Sequence, residues 1–485
     1  MSCIEFIAPE YQKDTGFIFT PYTFIGDELK GWTIKRNGQT YLELGPGYVP
    51  VKTQFCGICS TDLMRHHLPF PLPQITGHEV IGTYEDKTVA LEINASHFAR
   101  AVPQHDCPYC RNGLHIHCPE RLTLGIDRLP GGFAPWLLAP KQALHVLPHT
   151  VSPRMAVLLE PFAAALKAVR LSPPVDGDTV AVIGPRRLGM LVLAALAAYR
   201  KMSGTKFTLT AVLRHGRLGA VAKTLGADHV LLVGAEHPQA DTQFDVVFDT
   251  TGSQSGFQLA IALARRVLHL KSTHGQAMQG LHHLTDMVIN EQSLQVYSKA
   301  NFSSALHAIN TEGRKINIYA TPSVPEDVCT QMEQMGERIT VHKIPPADAL
   351  QACREKNDIF TDAILPRYDL AIVSTFKEVD AVLRGQTQGL ASLLKPQGRI
   401  FLLAANGKPP ADALYNAISR YGLSLETSRC GDFSDALALL SCFSALSKKL
   451  EGLLITQEFA LNDIEQAFQY ARETKKSIKV IVKTS

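Results

Sequence analysis

An α/β fold built from two kinds of domain is expected from three observations on this 485-residue chain. Residues from about 30 to 170 carry short β-rich runs broken by Gly and Pro, the pattern of an irregular β-barrel-like domain. From Asp178 onward strand-like and helix-like stretches alternate, which predicts a parallel, doubly wound sheet with helices on both faces. That alternation continues further than one such sheet requires and its pieces echo one another, so a second, degenerate copy of the α/β unit is expected.

Taken in order, Tyr41-Leu42-Glu43-Leu44 and Val49-Pro50-Val51-Lys52 read as strands of the first domain. Thr179-Val180-Ala181-Val182-Ile183 opens the α/β part, followed by a helix from Leu188, a strand over 207–212, a helix from Leu218 and the strand Val230-Leu231-Leu232. Strands over 244–250 and 267–270 come next. In the second copy, 316–321 takes the place of the opening strand and 338–344 that of the next; 368–375 echoes 244–250, and 398–403 echoes 266–270. Ser298-Lys299-Ala300-Asn301-Phe302-Ser303 aligns with Ser428-Arg429-Cys430-Gly431-Asp432-Phe433-Ser434 once one residue is inserted. The expected domains are 1–172 (catalytic), 173–310 (nucleotide-binding), 311–445 (degenerate repeat) and 446–485 (a C-terminal return). The repeat's turn, Ala320-Thr321-Pro322-Ser323-Val324-Pro325, has no glycine, which suits a packing or interface module better than a second cofactor site.

With 48 basic and 45 acidic residues the net charge is +3, leaving no global field to attract nucleic acid or an anionic membrane. A small-molecule partner is expected. The first residues lack a basic stretch leading into an apolar run, no long uncharged apolar segment follows, and the ten cysteines read as reduced thiols and metal ligands; cytoplasm is the expected compartment.

Cys59-Ser60-Thr61-Asp62, Gly77-His78-Glu79 and Leu159-Glu160-Pro161 supply a thiolate, an imidazole and carboxylates scattered along the chain. Scattered ligands of these types suit a catalytic zinc that keeps one coordination position open. Cys107-Pro108-Tyr109-Cys110 and Cys118 form a tighter cluster, of the kind that holds a structural zinc. Gly184-Pro185-Arg186-Arg187-Leu188-Gly189 follows a strand and opens a helix, the context of a dinucleotide-binding turn, with Arg186 where a second glycine is usual. The next strand ends in Leu213-Arg214-His215-Gly216-Arg217, which offers cations where an acid would hold the ribose hydroxyls of NAD. That favours NADP, the alternative being a solvated basic loop.

These motifs, together with Phe55-Cys56-Gly57-Ile58, Gly131-Gly132-Phe133-Ala134 and Phe162-Ala163-Ala164-Ala165, resemble in kind and order the zinc-containing medium-chain dehydrogenase/reductase superfamily, nearest to its polyol and threonine dehydrogenase-like members. The resemblance covers roughly 40–290 and resumes near 425–485. It implies a GroES-like catalytic domain and a Rossmann domain. It also implies that Cys59 and His78 ligate the catalytic zinc, that Glu79 is a direct or exchangeable ligand, that Glu160 reaches the metal directly or through water, and that Thr61 relays the alcohol proton. Gly184, Arg186, Leu188, Gly189, Arg214, His215, Arg217 and Thr251 fall on the cofactor-binding positions. In the cysteine lobe the family's first cysteine falls on Gln104; either the adjacent His105 joins Cys107, Cys110 and Cys118, or the lobe is metal-free, with His115 and His117 as weaker candidates.

The expected activity is hydride transfer between NAD(P) and a secondary alcohol, polyol or hydroxy amino acid. The alternative is a non-catalytic relative that binds nucleotide or metal as an interaction protein, motivated by Arg186, Gln104 and the glycine-free second copy. Self-association is left open, because the family's sheet-to-sheet pairing between chains could be replaced by pairing between the two copies inside one.

Overall fold

The computed structural model describes every residue except 1, 69, 101–106, 234–241, 273–280, 298–314, 356–364, 384–391, 404–413, 415, 417, 419–421, 474–476 and 485. It divides into two compact units, Met1–Ala164 with Cys430–Ser485, and Ala165–Arg429.

The first unit opens with an antiparallel meander in sequence order: β1 (Ser2–Gln12), β2 (Gly16–Asp27), β3 (Gly31–Arg36) and β4 (Gln39–Leu44). Glu10 is fully buried in it. Its carboxylate accepts hydrogen bonds from Arg36 Nη2 at 2.8 Å and Thr20 Oγ1 at 3.0 Å, with the Tyr22 hydroxyl as a further donor, so the charge is compensated. Next come β5 (Tyr48–Gly57), β6 (Glu79–Tyr84), β7 (Lys87–Leu91), β8 (Asn94–Ala95), β9 (Leu122–Thr123), β10 (Trp136–Pro140) and β11 (Leu144–Val146). The expected runs at Tyr41 and Val49 lie in β4 and β5.

In the second unit, β12 (Thr179–Ile183), β13 (Thr208–Leu213), β14 (His229–Leu232), β15 (Phe244–Asp249), β16 (Ala264–Leu270), β17 (Ser293–Tyr297), β18 (Ile316–Ala320), β19 (Ile339–Lys343), β20 (Tyr368–Val373), β21 (Leu394–Leu403) and β22 (Ser424–Thr427) form one eleven-stranded sheet. Its order is β14-β13-β12-β15-β16-β22-β17-β21-β20-β18-β19. β12 is apolar without alternation, as a strand covered on both faces demands; Val180, Ala181 and Val182 are all fully buried.

The chain's last strands, β23 (Ile455–Ala460) and β24 (Lys479–Lys483), return to the first unit. There they complete a seven-stranded sheet of order β11-β7-β6-β5-β24-β23, with β10 also on β5. The return starts at Cys430, earlier than the expected 446. One contact that draws 430–445 in is that of Phe433 with His145, ring centroids 5.4 Å apart.

A buried polar cluster ties β22 to β16. His269 bridges Ser172 Oγ (Nδ1, 2.8 Å) and Ser428 Oγ (Nε2, 2.9 Å), and Lys271 Nζ donates to Ser428 Oγ and to the carbonyls of Ser428 and Arg429. Burial, reinforced by the Lys271 charge, pushes His269 down to about 3. The unfolded chain therefore takes up a proton that the native state refuses between the unfolded value of about 6.5 and about 3, so stability falls with falling pH across that window. Denaturant titration is expected to show a loss of roughly 1.4 kcal/mol per pH unit from this residue, with a flatter profile in His269→Gln.

Candidate functional site

In the first unit, Cys59 caps the short helix Ser60–Leu63 that follows β5, and His78 stands immediately before β6. A positive φ of 94° at Gly77 sets the approach to His78; a Cβ there would lie 2.6 Å from Cys56 Sγ and 2.8 Å from the Phe133 ring. Asp62 is the organiser. Its carboxylate accepts from Cys59 N at 2.8 Å and Gly77 N at 3.2 Å, and Oδ1 lies 3.6 Å from His78 Nδ1. Burial would depress the His78 imidazole, but Asp62 and the Cys59 thiol against it outweigh that and raise it well above the ordinary histidine range. His78 Nδ1 is buried and has no hydrogen-bond partner, and Cys59 and His78 carry ligand types that zinc accepts. Thr61 Oγ1 lies 3.8 Å from Cys59 Sγ.

Glu79 is placed differently from the expectation of a ligand. Its carboxylate makes a buried ion pair with the Lys479 ammonium of β24, which also donates to the Ile58 carbonyl. Glu160 sits in the first turn of the helix Leu159–Leu171. Among the described residues, the structure does not gather Glu79 or Glu160 with Cys59 and His78 into one set of mutually adjacent ligand atoms.

The cysteine lobe does form such a set, with an unexpected fourth member. The ligand atoms of His97, Cys107, Cys110 and Cys118 all lie within 4.8 Å of one another. Cys107 Sγ is 3.9 Å from Cys118 Sγ, and His97 Nδ1 is 3.3 Å from Cys118 Sγ. Tetrahedral zinc with bonds of about 2.3 Å to sulfur and about 2.0 Å to nitrogen needs separations of roughly 3.5–3.8 Å, so the donors fit with small movements. His97 Nε2 is 3.0 Å from the Glu120 carboxylate, the partner that orients a metal-binding imidazole. The Cys110 thiol is pushed up to about 12 by burial and by its neighbours Cys118 and Cys107. His105 and Gln104 lie outside the described residues, while His115 stacks on Phe98 with ring centroids 4.0 Å apart.

In the second unit the predicted cofactor turn joins β12 to the helix Leu188–Ser203. Gly184 has φ 71°, and a Cβ there would meet Thr251 Cγ2 at 2.5 Å; Leu188 and Gly189 open the helix. Arg186 and Arg187 precede it, and no acid occupies its first turn. Burial, with Arg187 and Arg217 nearby, lowers the Arg186 guanidinium to about 10. Arg214, His215 and Arg217 follow β13 on an exposed loop, and Arg214 Nη2 donates to Ser255 Oγ at 2.8 Å. Thr251 is engaged with its own strand end, its Oγ1 donating to Asp249 Oδ1 at 2.7 Å. Asp249 is raised to about 6 by burial, against the two hydrogen bonds from Thr251, and its Oδ2 has no hydrogen-bond partner.

Part of the chain resembles known dehydrogenases. Residues 45–149 match the alcohol dehydrogenase GroES-like domain. An L-threonine 3-dehydrogenase of Pectobacterium carotovorum subsp. carotovorum (strain PC1) is 28% identical over 236 residues, 44% of this chain and 66% of that protein. The chain is thus similar in part to L-threonine 3-dehydrogenases and to the alcohol dehydrogenase GroES-like domain. A sorbitol dehydrogenase of Halalkalibacterium halodurans is 27% identical over 194 residues, 39% of this chain and 55% of that protein. The matched stretches span no more than about 66% of these curated relatives' own length. An alcohol dehydrogenase structure from Thermotoga maritima shares the fold, with a TM-score of 0.55 at 13% identity over 99% of this chain and 100% of that one. No helix among the described residues is long and apolar enough to cross a membrane.

Sequence reading missed His97 and Lys479 and left Asp62 without a role. A histidine upstream of a three-cysteine lobe was the available signal for His97. Lys479 had none, because it meets Glu79 only through strand pairing at the far end of the chain.

Proposed function

We propose that the chain is a zinc-dependent oxidoreductase that moves hydride between NAD(P) and a secondary alcohol, polyol or hydroxy amino acid. The observation that carries this reading is the convergence of Cys59 and His78 around Asp62, in a chain whose relatives are named as threonine and sorbitol dehydrogenases. A zinc ion held by Cys59 and His78 would act as a Lewis acid toward the substrate oxygen, Glu160 being the further carboxylate that the resemblance implies. Thr61 takes the alcohol proton toward solvent. Asp62 orients His78 and fixes the backbone around both ligands. Glu79, paired with Lys479, acts as a positioning residue. A second zinc in the lobe would be held by His97, Cys107, Cys110 and Cys118. Metal analysis is expected to find two zinc ions per chain, falling to one in His97→Ala with the Cys59 site retained.

For the cofactor, the reading is a dinucleotide with its phosphates at the Gly184–Gly189 turn and a preference for NADP. Arg186, Arg187 and Arg217 concentrate positive charge there, and Arg214 and His215 add to the loop. Fluorescence titration is expected to show saturable NADPH binding at least about tenfold tighter than NADH, a difference of about 1.4 kcal/mol, with the gap narrowed in Arg217→Ala. Equal affinities would return the loop to a solvated basic segment. Absence of binding by either nucleotide would favour the non-catalytic relative.

A further inference from the structure

We infer that the second half of the Ala165–Arg429 sheet is a built-in partner for the first, joined to it by a seam closed within a single chain, and that it holds no dinucleotide of its own. The sheet consists of two parallel blocks. β14-β13-β12-β15-β16-β22 is one, β17-β21-β20-β18-β19 the other, and the blocks meet where β17 and β22 run antiparallel. The blocks share one plan. β12, β13, β15 and β16 occupy the same relative places as β18, β19, β20 and β21, the strand pairs that the sequence echoes bring into correspondence.

The outermost strand of each block is exchanged. β17 follows β16 in the chain yet lies beside β21, and β22 follows β21 yet lies beside β16. The Ser-x-x-x-Phe-Ser stretch after β17 and its counterpart after β22 sit at equivalent points of the two runs, although 298–306 lie outside the described residues. Reciprocal exchange of one element is how two copies of a chain commonly pair, and an open strand edge is a template for such pairing. Here both copies are encoded in one chain, and the edge that each run would leave open is covered by the other.

The seam is packed and hydrogen-bonded from both runs. Leu294 faces Leu425, and both are fully buried. Thr427 Oγ1 donates to the Gln292 carbonyl at 2.6 Å, and Arg429 N donates to Glu291 Oε1 at 2.8 Å. The second block's own turn is occupied by protein. Glu378 Oε2 accepts from Ser374 N at 2.8 Å and Thr375 N at 3.0 Å, and its Oε1 accepts from Ser323 Oγ at 2.8 Å. The helix Glu326–Glu333 that follows this turn starts with Glu326 and Asp327, which repel phosphate where the first block presents arginines.

The test joins the seam covalently. In Leu294→Cys/Leu425→Cys, oxidation is expected to link peptides 294 and 425 within a species that runs at the single-chain mass of 53.1 kDa on denaturing, non-reducing gels. Linked peptides in a band of doubled mass, or no link at all in a folded variant, would overturn the seam. Should that variant not fold, hydrogen exchange on the unmodified chain decides: protection of Ser293–Tyr297 and Ser424–Thr427 is expected to be unchanged on serial dilution, and protection lost on dilution overturns it. Calorimetric titration with NADPH reads the other part. More than one site per chain overturns it, whereas one or none agrees with it, and none would count against the proposed cofactor reading alone.

Discussion

Replacing Cys59 by alanine is expected to remove one zinc ion per chain and to lower turnover of a secondary alcohol on the order of a thousandfold or more. That corresponds to the several kcal/mol by which a Lewis acid stabilises developing alkoxide. The thiol lies at the head of a one-turn helix and is only partly buried, so the fold should survive its loss. His78 is the poorer probe, because it is 3% exposed and its removal would leave Asp62 facing a hole. Zinc analysis beside initial rates checks the prediction. Retained turnover without the metal would point to a reductase that does not use zinc, and retained zinc with no turnover in either protein would point to a binding protein.

The residues on which the Cys59 prediction rests could be picked out in the sequence, because the proposed ligands sit in local motifs whose chemistry is carried by residue type. Strands of both blocks were legible for a related reason: buried parallel strands carry unbroken apolar runs, such as Val180-Ala181-Val182-Ile183 in β12 and Leu370-Ala371-Ile372-Val373 in β20. What could not be read is what depends on distant pairing. The places of β17 and β22 leave no mark in either strand, because Ser293-Leu294-Gln295-Val296 and Ser424-Leu425-Glu426-Thr427 do not say which neighbour each pairs with. His97 reaches Cys118 across a loop, and Glu120, which orients it, is an ordinary surface acid until the lobe folds. The family's spacing directed attention to 104 and 105, next to the first cysteine of the lobe, whereas the donor that completes the set comes from the far side of that segment.

The second large effect is expected at Lys479. Its side chain is 4% exposed and that of Glu79 1%, so each charge has exchanged water for the other. Lys479→Met leaves the carboxylate buried without its partner, which is expected to destabilise the chain by about 3–5 kcal/mol. Glu79→Gln alone strands the ammonium, although Lys479 keeps its hydrogen bond to the Ile58 carbonyl and so loses less. Glu79→Gln/Lys479→Met removes both charges, and a well-packed neutral pair is expected to recover most of the loss. Denaturant unfolding of the four proteins gives the coupling directly, as the departure of the double variant from the sum of the singles. Strong coupling means that β24, arriving from the end of the chain, fixes the Glu79 carboxylate through charge. Additive effects would mean that Lys479 contributes only its aliphatic packing, and the carboxylate would then be free to reach the metal site from its place at the start of β6.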